Sequence, residues 1–242
     1  MIVFDVDGTL VGGETADWTS FRTAFEEAAR FVLDDAFFAR IEEVTAQAIV
    51  HQALTGVALK KKKQIERAVR EGYLRRLQSV HKSDPSSFPA LDGALALLAE
   101  LKQKNVPVAI ATGDWLETIT FKLGAAGIPV DHLPLVTSSH FYSRADIIAA
   151  AIAKAGRPMH EAVYIGDGLW DLRACRKLGI PFIGVGHRKE KLEAAGATYT
   201  LPDLNPSNFW RVMGVIRSRI SAYSEPRDDI SISPRSAMGA RR

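Results

Sequence analysis

The chain begins with a short apolar run that ends in two acidic residues. Residues 2–4 are apolar, Asp5 and Asp7 follow two positions apart, and Gly8 comes next. An apolar, β-branched run predicts a buried parallel strand, which constrains the fold because both faces of such a strand are covered. Side chains alternate along a strand, so Asp5 and Asp7 share one side, and Gly8 allows a sharp turn. Paired carboxylates bind a cation or share a proton, and we therefore interpret this strand end as a reaction centre.

From about residue 89 onwards, helical segments alternate with short apolar segments. The latter predict strands at 106–112, 133–137, 162–166, 181–185 and 197–201. Pro134 restricts the second of these to a strand start or a sheet edge. This alternation predicts an α/β fold, a doubly wound parallel sheet with helices on both faces, whose ligands bind beyond the carboxyl ends of the strands.

The segment between the first strand and residue 88 carries helical patterns and no convincing strand. Apolar residues recur at three- and four-residue steps over 18–32, over 38–48 with Asp34 and Asp35 as the cap, and over 65–80. We therefore predict an α/β core domain of residues 1–13 and 89–223, with an all-helical cap domain of residues 14–88 inserted above Asp5 and Asp7.

Composition limits the class of protein less than the motifs do. The 242 residues are 47% hydrophobic and 24% charged, and the net charge of +3 is weak support for a nucleic-acid partner. No apolar run approaches the about 18 residues that span a bilayer, and no basic leader is present. We predict a cytoplasmic protein with no membrane attachment. The single cysteine, Cys175, excludes an intrachain disulfide, and the polar composition of residues 224–242 predicts a disordered tail.

Further polar residues follow two of the predicted strands. Thr112 and Gly113 end one strand, where a hydroxyl and backbone amides at a helix entrance suit a phosphate group. Asp167 and Asp171 follow another strand across a tight turn. Carboxylates that converge on one sheet edge suit a hard divalent cation such as Mg²⁺. Each string alone also occurs in ordinary turns and helix starts, so only the combination predicts a site.

The string from Asp5 to Leu10, Asp-Val-Asp-Gly-Thr-Leu, resembles the first signature of the haloacid dehalogenase-like hydrolase superfamily. Thr112 and the Asp167/Asp171 pair appear in that family's order, and the similarity covers nearly the whole folded region. The helical insertion resembles that of the phosphoglycolate phosphatase-like branch. The resemblance implies that Asp5 is the nucleophile, which attacks a phosphoryl group to form an aspartyl-phosphate.

The same resemblance implies roles for the other residues. Asp7 would protonate the leaving oxygen and then activate water, and its presence favours phosphate esters over halides, because halide leaves without a proton. Mg²⁺ would be held by Asp5, the carbonyl oxygen of Asp7, and Asp167, with Asp171 binding directly or through water. Thr112 would hydrogen-bond the phosphoryl oxygens, and Gly113 would lie beside it in the substrate-binding loop.

One position departs from the family pattern. The family usually has a lysine ahead of the helix that follows the third strand, and Arg144 occupies that place here. Arginine keeps a permanent charge and binds a phosphate or carboxylate through two nitrogens. We therefore predict that Arg144 is the cation of the site, with both a catalytic and a substrate-binding role.

These residues predict Mg²⁺-dependent hydrolysis of a small phosphorylated metabolite, and two alternatives stay open. A phosphosugar mutase or another phosphotransferase on the same scaffold would use the same residues with a sugar hydroxyl as the acceptor. A basic nucleic-acid-binding module is the alternative from a different class, suggested by the lysines at 60–63 and the arginines that follow. Such a run is usually a solvated helix face, and no nucleic-acid motif accompanies it.

Overall fold

The computed structural model describes residues 1–224, within which one parallel sheet forms the centre of the fold. Its strands are β1 (Ile2–Phe4), β2 (Val108–Ala111), β3 (Leu135–Val136), β4 (Val163–Gly166), β5 (Phe182–Val185) and β6 (Tyr199–Leu201). They are arranged in the order β3-β2-β1-β4-β5-β6, so β1 lies between β2 and β4. All the pairs are parallel. The predicted doubly wound α/β fold is confirmed.

Between β1 and residue 88 the chain forms four helices: α1 (Glu14–Ala29), α2 (Asp35–Phe38), α3 (Ala46–Ala53) and α4 (Leu59–Ser83). We call residues 14–88 the insertion. Helices α1 and α4 pack along each other, and Phe25 of α1 and Leu77 of α4 are fully buried in the same apolar cluster. This burial explains why the apolar stripes of these two helices were visible in the sequence.

The remaining helices cover both faces of the sheet. They are α5 (Ala94–Gln103), α6 (Leu116–Ala125), α7 (Arg144–Lys154), α8 (Leu169–Leu178), α9 (Lys189–Ala194) and α10 (Pro206–Ser224), with a 3₁₀ turn at Met159–Glu161. Alternate residues of β1 belong to different apolar clusters: Phe4 shares one cluster with Leu97 of α5, whereas Val3 shares the other with Ile148 of α7 and Leu172 of α8. The first strand is therefore buried on both faces, as its composition predicts.

The prediction of one helix through residues 38–48 is wrong. Asp34 does cap α2, since its Oδ1 accepts a hydrogen bond from Phe37 N at 2.7 Å, but that helix ends at Phe38. Helix α3 starts separately, because Thr45 is extended and its Oγ1 accepts from Ala48 N at 3.2 Å. Side-chain oxygens of Ser and Thr commonly accept hydrogen bonds from the free backbone N–H groups at helix starts, which favours a new helix start at such a residue.

Contacts with the core account for the break between α2 and α3. Glu43 Oε2 accepts a hydrogen bond from the backbone N–H of Arg144 at 3.0 Å. Ala46 N donates to the carbonyl oxygen of Gly113 at 2.7 Å. Residues 39–45 therefore cross the carboxyl edge of the sheet, and a continuous helix would not make both contacts.

The boundaries of the insertion lie at one place on the core. Gly12 N donates to Pro89 O and Leu91 N donates to Leu10 O, both at 2.9 Å. The division into core and cap domains stays a prediction, which these bonds support. No helix within residues 1–224 combines the length and apolarity needed to cross a membrane. The cytoplasmic location also stays a prediction, and the predicted disordered tail lies outside the described residues from residue 225 onwards.

We expect Leu77→Ala to lower the free energy of unfolding by about 2–5 kcal/mol, since Leu77 is 0% exposed and its truncation leaves a cavity between α1 and α4. Urea denaturation followed by circular dichroism measures this loss. Leu59→Ala on the same helix is the matched control, because Leu59 is 65% exposed, and its effect is expected within about 0.5 kcal/mol. Equal effects of the two substitutions would contradict the packing described here.

Candidate active site

The strand order brings the predicted site residues to one edge of the sheet. Asp5 follows β1, Thr112 follows β2 and Asp167 follows β4, and these three strands are neighbours. Parallel strands present their carboxyl ends at the same edge, which explains the convergence. These side chains line a cavity of about 1090 Å³, whose other walls come from the insertion and from the loops after β4 and β5.

Arg144, the first residue of α7, is buried between two carboxylates. Its Nη1 lies 3.0 Å from Asp5 Oδ1 and its Nε lies 3.4 Å from Asp171 Oδ1. Burial disfavours the charge of Arg144, but the Asp171 and Asp5 carboxylates outweigh this effect and raise the pKa of the guanidinium. Arg144 is therefore charged in the site, and the structure places it where the sequence predicted a cation.

The carboxylates of Asp5, Asp167 and Asp171 fit a divalent cation. Each offers one oxygen, and these oxygens lie within 4.8 Å of one another at buried positions. Asp167 Oδ2 contacts Arg188 Nη1 at 3.1 Å, while its Oδ1 is buried without a hydrogen-bond partner among the described residues. A buried carboxylate oxygen is costly unless it is paired, and a hard cation is the partner that such a donor set prefers.

Burial also changes the protonation of these acids. It raises the pKa of Asp5 against the opposing charge of Arg144, and it raises the pKa of Asp171 to about 7. The pKa of Asp167 is raised well above its usual range for the same reason, although Arg188 opposes the shift. Raised pKa values of this kind are frequent at functional sites. A positive charge bound among these acids would favour their ionised forms and oppose the shift.

Two glycines allow close approach of the backbone at the site. Gly8 has φ +74°, and a Cβ there would lie 2.4 Å from Asp167 Oδ2. A Cβ at Gly113 would lie 2.7 Å from Arg144 Nη2 and 3.2 Å from the carbonyl oxygen of Val44. A larger residue at either position would therefore displace a charged side chain from the site.

Thr112 is buried in the loop between β2 and α6, at 1% exposure. Its Oγ1 accepts a hydrogen bond from Asp114 N at 3.2 Å, and its backbone N donates to Val136 O at 3.1 Å. The hydroxyl hydrogen is available for a group in the cavity, because accepting one hydrogen bond does not use it.

The side chain of Asp7 lies outside the carboxylate group formed by Asp5, Asp167 and Asp171. It contacts Lys122, whose Nζ is 2.6 Å from Asp7 Oδ1. The metal-binding role predicted for the carbonyl oxygen of Asp7 involves the backbone and stays a prediction.

Lys122 is the centre of a buried ionic cluster that the sequence did not predict. Besides Asp7, its Nζ contacts Asp17 Oδ1 at 2.7 Å and Asp114 Oδ2 at 2.8 Å. Tyr73 completes what we call the Lys122 cluster, since its hydroxyl donates to Asp17 Oδ1 and lies 3.3 Å from Lys122 Nζ. Asp17 and Tyr73 come from α1 and α4, so the cluster joins the insertion to the core.

Charge balance within the Lys122 cluster is incomplete. Lys122 is 1% exposed, and burial alone would lower its pKa, but the adjacent carboxylates outweigh burial and raise the pKa well above its usual range. The Asp7 side chain is 28% exposed, and its partial burial raises the pKa of Asp7, with Lys122 opposing the shift and Asp17 and Asp114 adding to it. One ammonium faces several carboxyl groups, so a proton on Asp7 relieves their repulsion.

One sequence signal pointed to Lys122, although it is weak. Thr118, Ile119, Lys122 and Leu123 form the buried face of α6, at three- and four-residue steps. A lysine on an apolar stripe is almost never fully buried unless it is paired. Glu14 and Trp18, which no motif marks as site residues, also line the cavity.

A parallel sheet whose central strand ends in buried carboxylates defines an α/β enzyme with an acidic active site. The chain belongs to the haloacid dehalogenase-like hydrolase family, whose family model matches residues 2–185. The family resemblance seen in the motifs is thereby confirmed, and the protein is a hydrolase-type enzyme. No curated protein sequence matches the chain.

Solved structures with the same fold include three that cover almost the whole chain. A hydrolase from Pseudomonas syringae has a TM-score of 0.71 and 24% identity over 89% of this chain and 98% of its own. β-Phosphoglucomutase from Clostridium difficile has a TM-score of 0.72 and 15% identity over 91% of this chain and 98% of its own. A predicted phosphoglycolate phosphatase from Haemophilus somnus 129PT has a TM-score of 0.65 and 16% identity over 88% and 97%.

We expect Lys122→Met to lower the free energy of unfolding by about 3–5 kcal/mol, because it leaves buried carboxylates without their cation. The urea midpoint at neutral pH measures the loss. Lys189→Met is the matched control, since the Lys189 side chain is 45% exposed and its Nζ lies 3.8 Å from Glu193 Oε1. Its effect is expected below about 1 kcal/mol. An unchanged midpoint for Lys122→Met would show that the Lys122 cluster does not form.

Proposed function

We propose that this enzyme hydrolyses a small phosphomonoester with Mg²⁺ as its cofactor and an aspartyl-phosphate as its intermediate. The observation that carries the proposal is the position of Asp5. Its carboxylate lies at the end of the central strand, beside the Arg144 guanidinium at 3.0 Å and grouped with Asp167 and Asp171. A nucleophile placed between a cation and a metal-binding acidic group suits attack on a negatively charged phosphoryl group.

In the first step, Asp5 attacks the phosphorus atom and the bond from phosphorus to the ester oxygen breaks. Arg144, Thr112 Oγ1 and the loop at Gly113 lie around the same part of the cavity and would hydrogen-bond the non-bridging oxygens. Besides the covalent bond that Asp5 forms, catalysis of phosphoryl transfer depends on positioning of the phosphoryl group and on stabilisation of its charge.

Asp7 supplies the proton chemistry in this proposal. Protonated Asp7 donates its proton to the departing alkoxide, and the resulting carboxylate then accepts a proton from the water that attacks phosphorus. That second attack breaks the bond between Asp5 and phosphorus, which releases phosphate and restores the enzyme. The raised pKa of Asp7 supports the first role, because a general acid has to carry a proton near neutral pH.

Asp5, Asp167 and Asp171, with the carbonyl oxygen of Asp7, would hold Mg²⁺ in this proposal. The bound ion would neutralise charge on the transferring phosphoryl group. The fit of the three carboxylates and the unpartnered Asp167 Oδ1 support this assignment.

The related structures support phosphate chemistry and leave the acceptor to experiment. One is described as a predicted phosphoglycolate phosphatase and another as a β-phosphoglucomutase. Small phosphorylated molecules are therefore the proposed substrates. Phosphate release without any sugar acceptor separates hydrolysis from the phosphotransferase alternative.

Asp5→Asn is expected to reduce Mg²⁺-dependent phosphate release from p-nitrophenyl phosphate to background, because the amide is a poor nucleophile. Release of p-nitrophenol with and without Mg²⁺ measures this change. The control is Asp131→Asn, an exposed position outside the cavity lining, which should keep the wild-type rate. Equal rates for Asp5→Asn and the wild type would refute the proposed nucleophile.

Substitution of Arg144 tests its role as the cation of the site. Arg144→Met is expected to lower kcat/KM by about 10²–10³-fold, the usual loss for a charge-stabilising donor. Arg144→Lys should lose less, because it keeps the charge while losing the paired contacts to Asp5 and Asp171. Steady-state kinetics of both variants measures the difference. If both lost activity equally, geometry rather than charge would be the contribution of Arg144.

A further inference from the structure

The cavity continues beyond the reaction centre along an apolar wall supplied by the insertion. Trp18, Phe21 and Phe38 line this wall, together with Ile41 and Ile49, and we call these five residues the apolar wall. The Trp18 ring stacks on Phe21 with 5.7 Å between centroids, and its centroid lies 4.9 Å from that of Phe38. Trp18 is nevertheless 36% exposed. A large aromatic surface exposed within a cavity is typical of a ligand-binding surface.

The apolar wall lies next to the general acid proposed above. Phe21 packs edge-on against Tyr73 at 5.5 Å between centroids, and the Tyr73 hydroxyl contacts Asp17 in the Lys122 cluster. Asp7 belongs to that cluster. The group that receives a proton from Asp7 has to lie beside Asp7, so the departing part of the substrate extends towards the apolar wall.

Charges around the cavity are distributed unevenly between its two sides. Within the described residues, the charged side chains that the insertion contributes to the lining are all acidic: Glu14, Asp17 and Asp35. Lys122 is already occupied by its carboxylate partners. The basic side chains in the lining all come from the core: Arg144, Arg173, His187, Arg188 and Lys191. Of these, Arg188 contacts Asp167. The insertion therefore contributes acids and no cation to the described cavity lining.

We propose that the substrate's leaving group is an uncharged alkyl or aryl group that lies against the apolar wall. This inference rests on the proposed function for the position of the phosphate end. A leaving group with its own phosphate or carboxylate, lying against the apolar wall, would have the acidic lining residues of the insertion beside it, which is unfavourable in a partly desolvated cavity. An apolar group would gain free energy from burial in proportion to its area.

The test is the binding of n-alkylphosphonates from ethyl to hexyl in the presence of Mg²⁺, measured by isothermal titration calorimetry. These compounds carry the phosphate-like group without a hydrolysable ester, so binding is measured apart from catalysis. Each added methylene is expected to lower Kd about twofold to fourfold, the upper value corresponding to full burial. The charged analogue 6-phosphonohexanoate is expected to bind at least about tenfold more weakly than hexylphosphonate.

Variants of the apolar wall identify where the chain binds. Trp18→Ala and Phe38→Ala are expected to reduce the gain in affinity per added methylene, so that Kd changes little with chain length. Phe31→Ala is the matched control on the insertion, because Phe31 is 42% exposed and lies outside the cavity lining, and it should keep the wild-type gain. Circular dichroism verifies that each variant is folded.

The outcomes separate this inference from the proposed function. A Kd that does not change with chain length, or tighter binding of 6-phosphonohexanoate, overturns the apolar leaving group. Hydrolysis of ethyl to hexyl phosphates, assayed alongside, tests the proposed function. If Kd depends on chain length but no ester is hydrolysed, the proposed hydrolase is refuted and the binding role of the apolar wall stands. If the esters are hydrolysed but Kd does not depend on chain length, the proposed hydrolase stands and the apolar leaving group is refuted. Absence of all phosphonate binding would overturn both.

Discussion

Neutralisation of buried carboxylates at one sheet edge is the constraint on which the rest of this structure depends. Acids that follow neighbouring strands cannot be buried together unless cations accompany them. Arg144 serves this purpose for Asp5, and Lys122 serves it for Asp114 and for the partly buried Asp7. Both cations are supplied by helices that pack against the sheet. The packing that forms the core therefore also places the cations of the site.

The same electrostatics join the insertion to the core. Asp17 from α1 is a partner of Lys122, and Glu43 accepts a hydrogen bond from the backbone of Arg144. Displacement of the insertion would separate both contacts and change the charges that Asp7 experiences. The position of the insertion and the protonation of the proposed general acid are therefore physically coupled, since the pKa of Asp7 depends on Asp17 and on exclusion of water.

Two parts of the chain contribute different properties to the cavity. The core contributes charge and hydrogen-bond donors around the proposed phosphoryl position, held by strand ends and helix starts. The insertion contributes aromatic area, of which Trp18 is the most exposed member, and acidic charge. In this proposal the sheet edge carries the reaction and the helical insertion carries the surface that selects the substrate. A substitution in the insertion could therefore change substrate selectivity and leave the reacting groups unchanged.

Sequence alone determined the parallel sheet, the position of the acidic pair after β1, and the positions of Thr112 and Asp167 at strand ends. These features follow from short-range patterns, because strand alternation and strand-end turns depend on adjacent residues. Only the tertiary structure decided the break before Thr45 and the pairing of Lys122 with Asp17, 105 positions away. Ion-pair partners depend on which segments meet in space, and no local pattern contains that information.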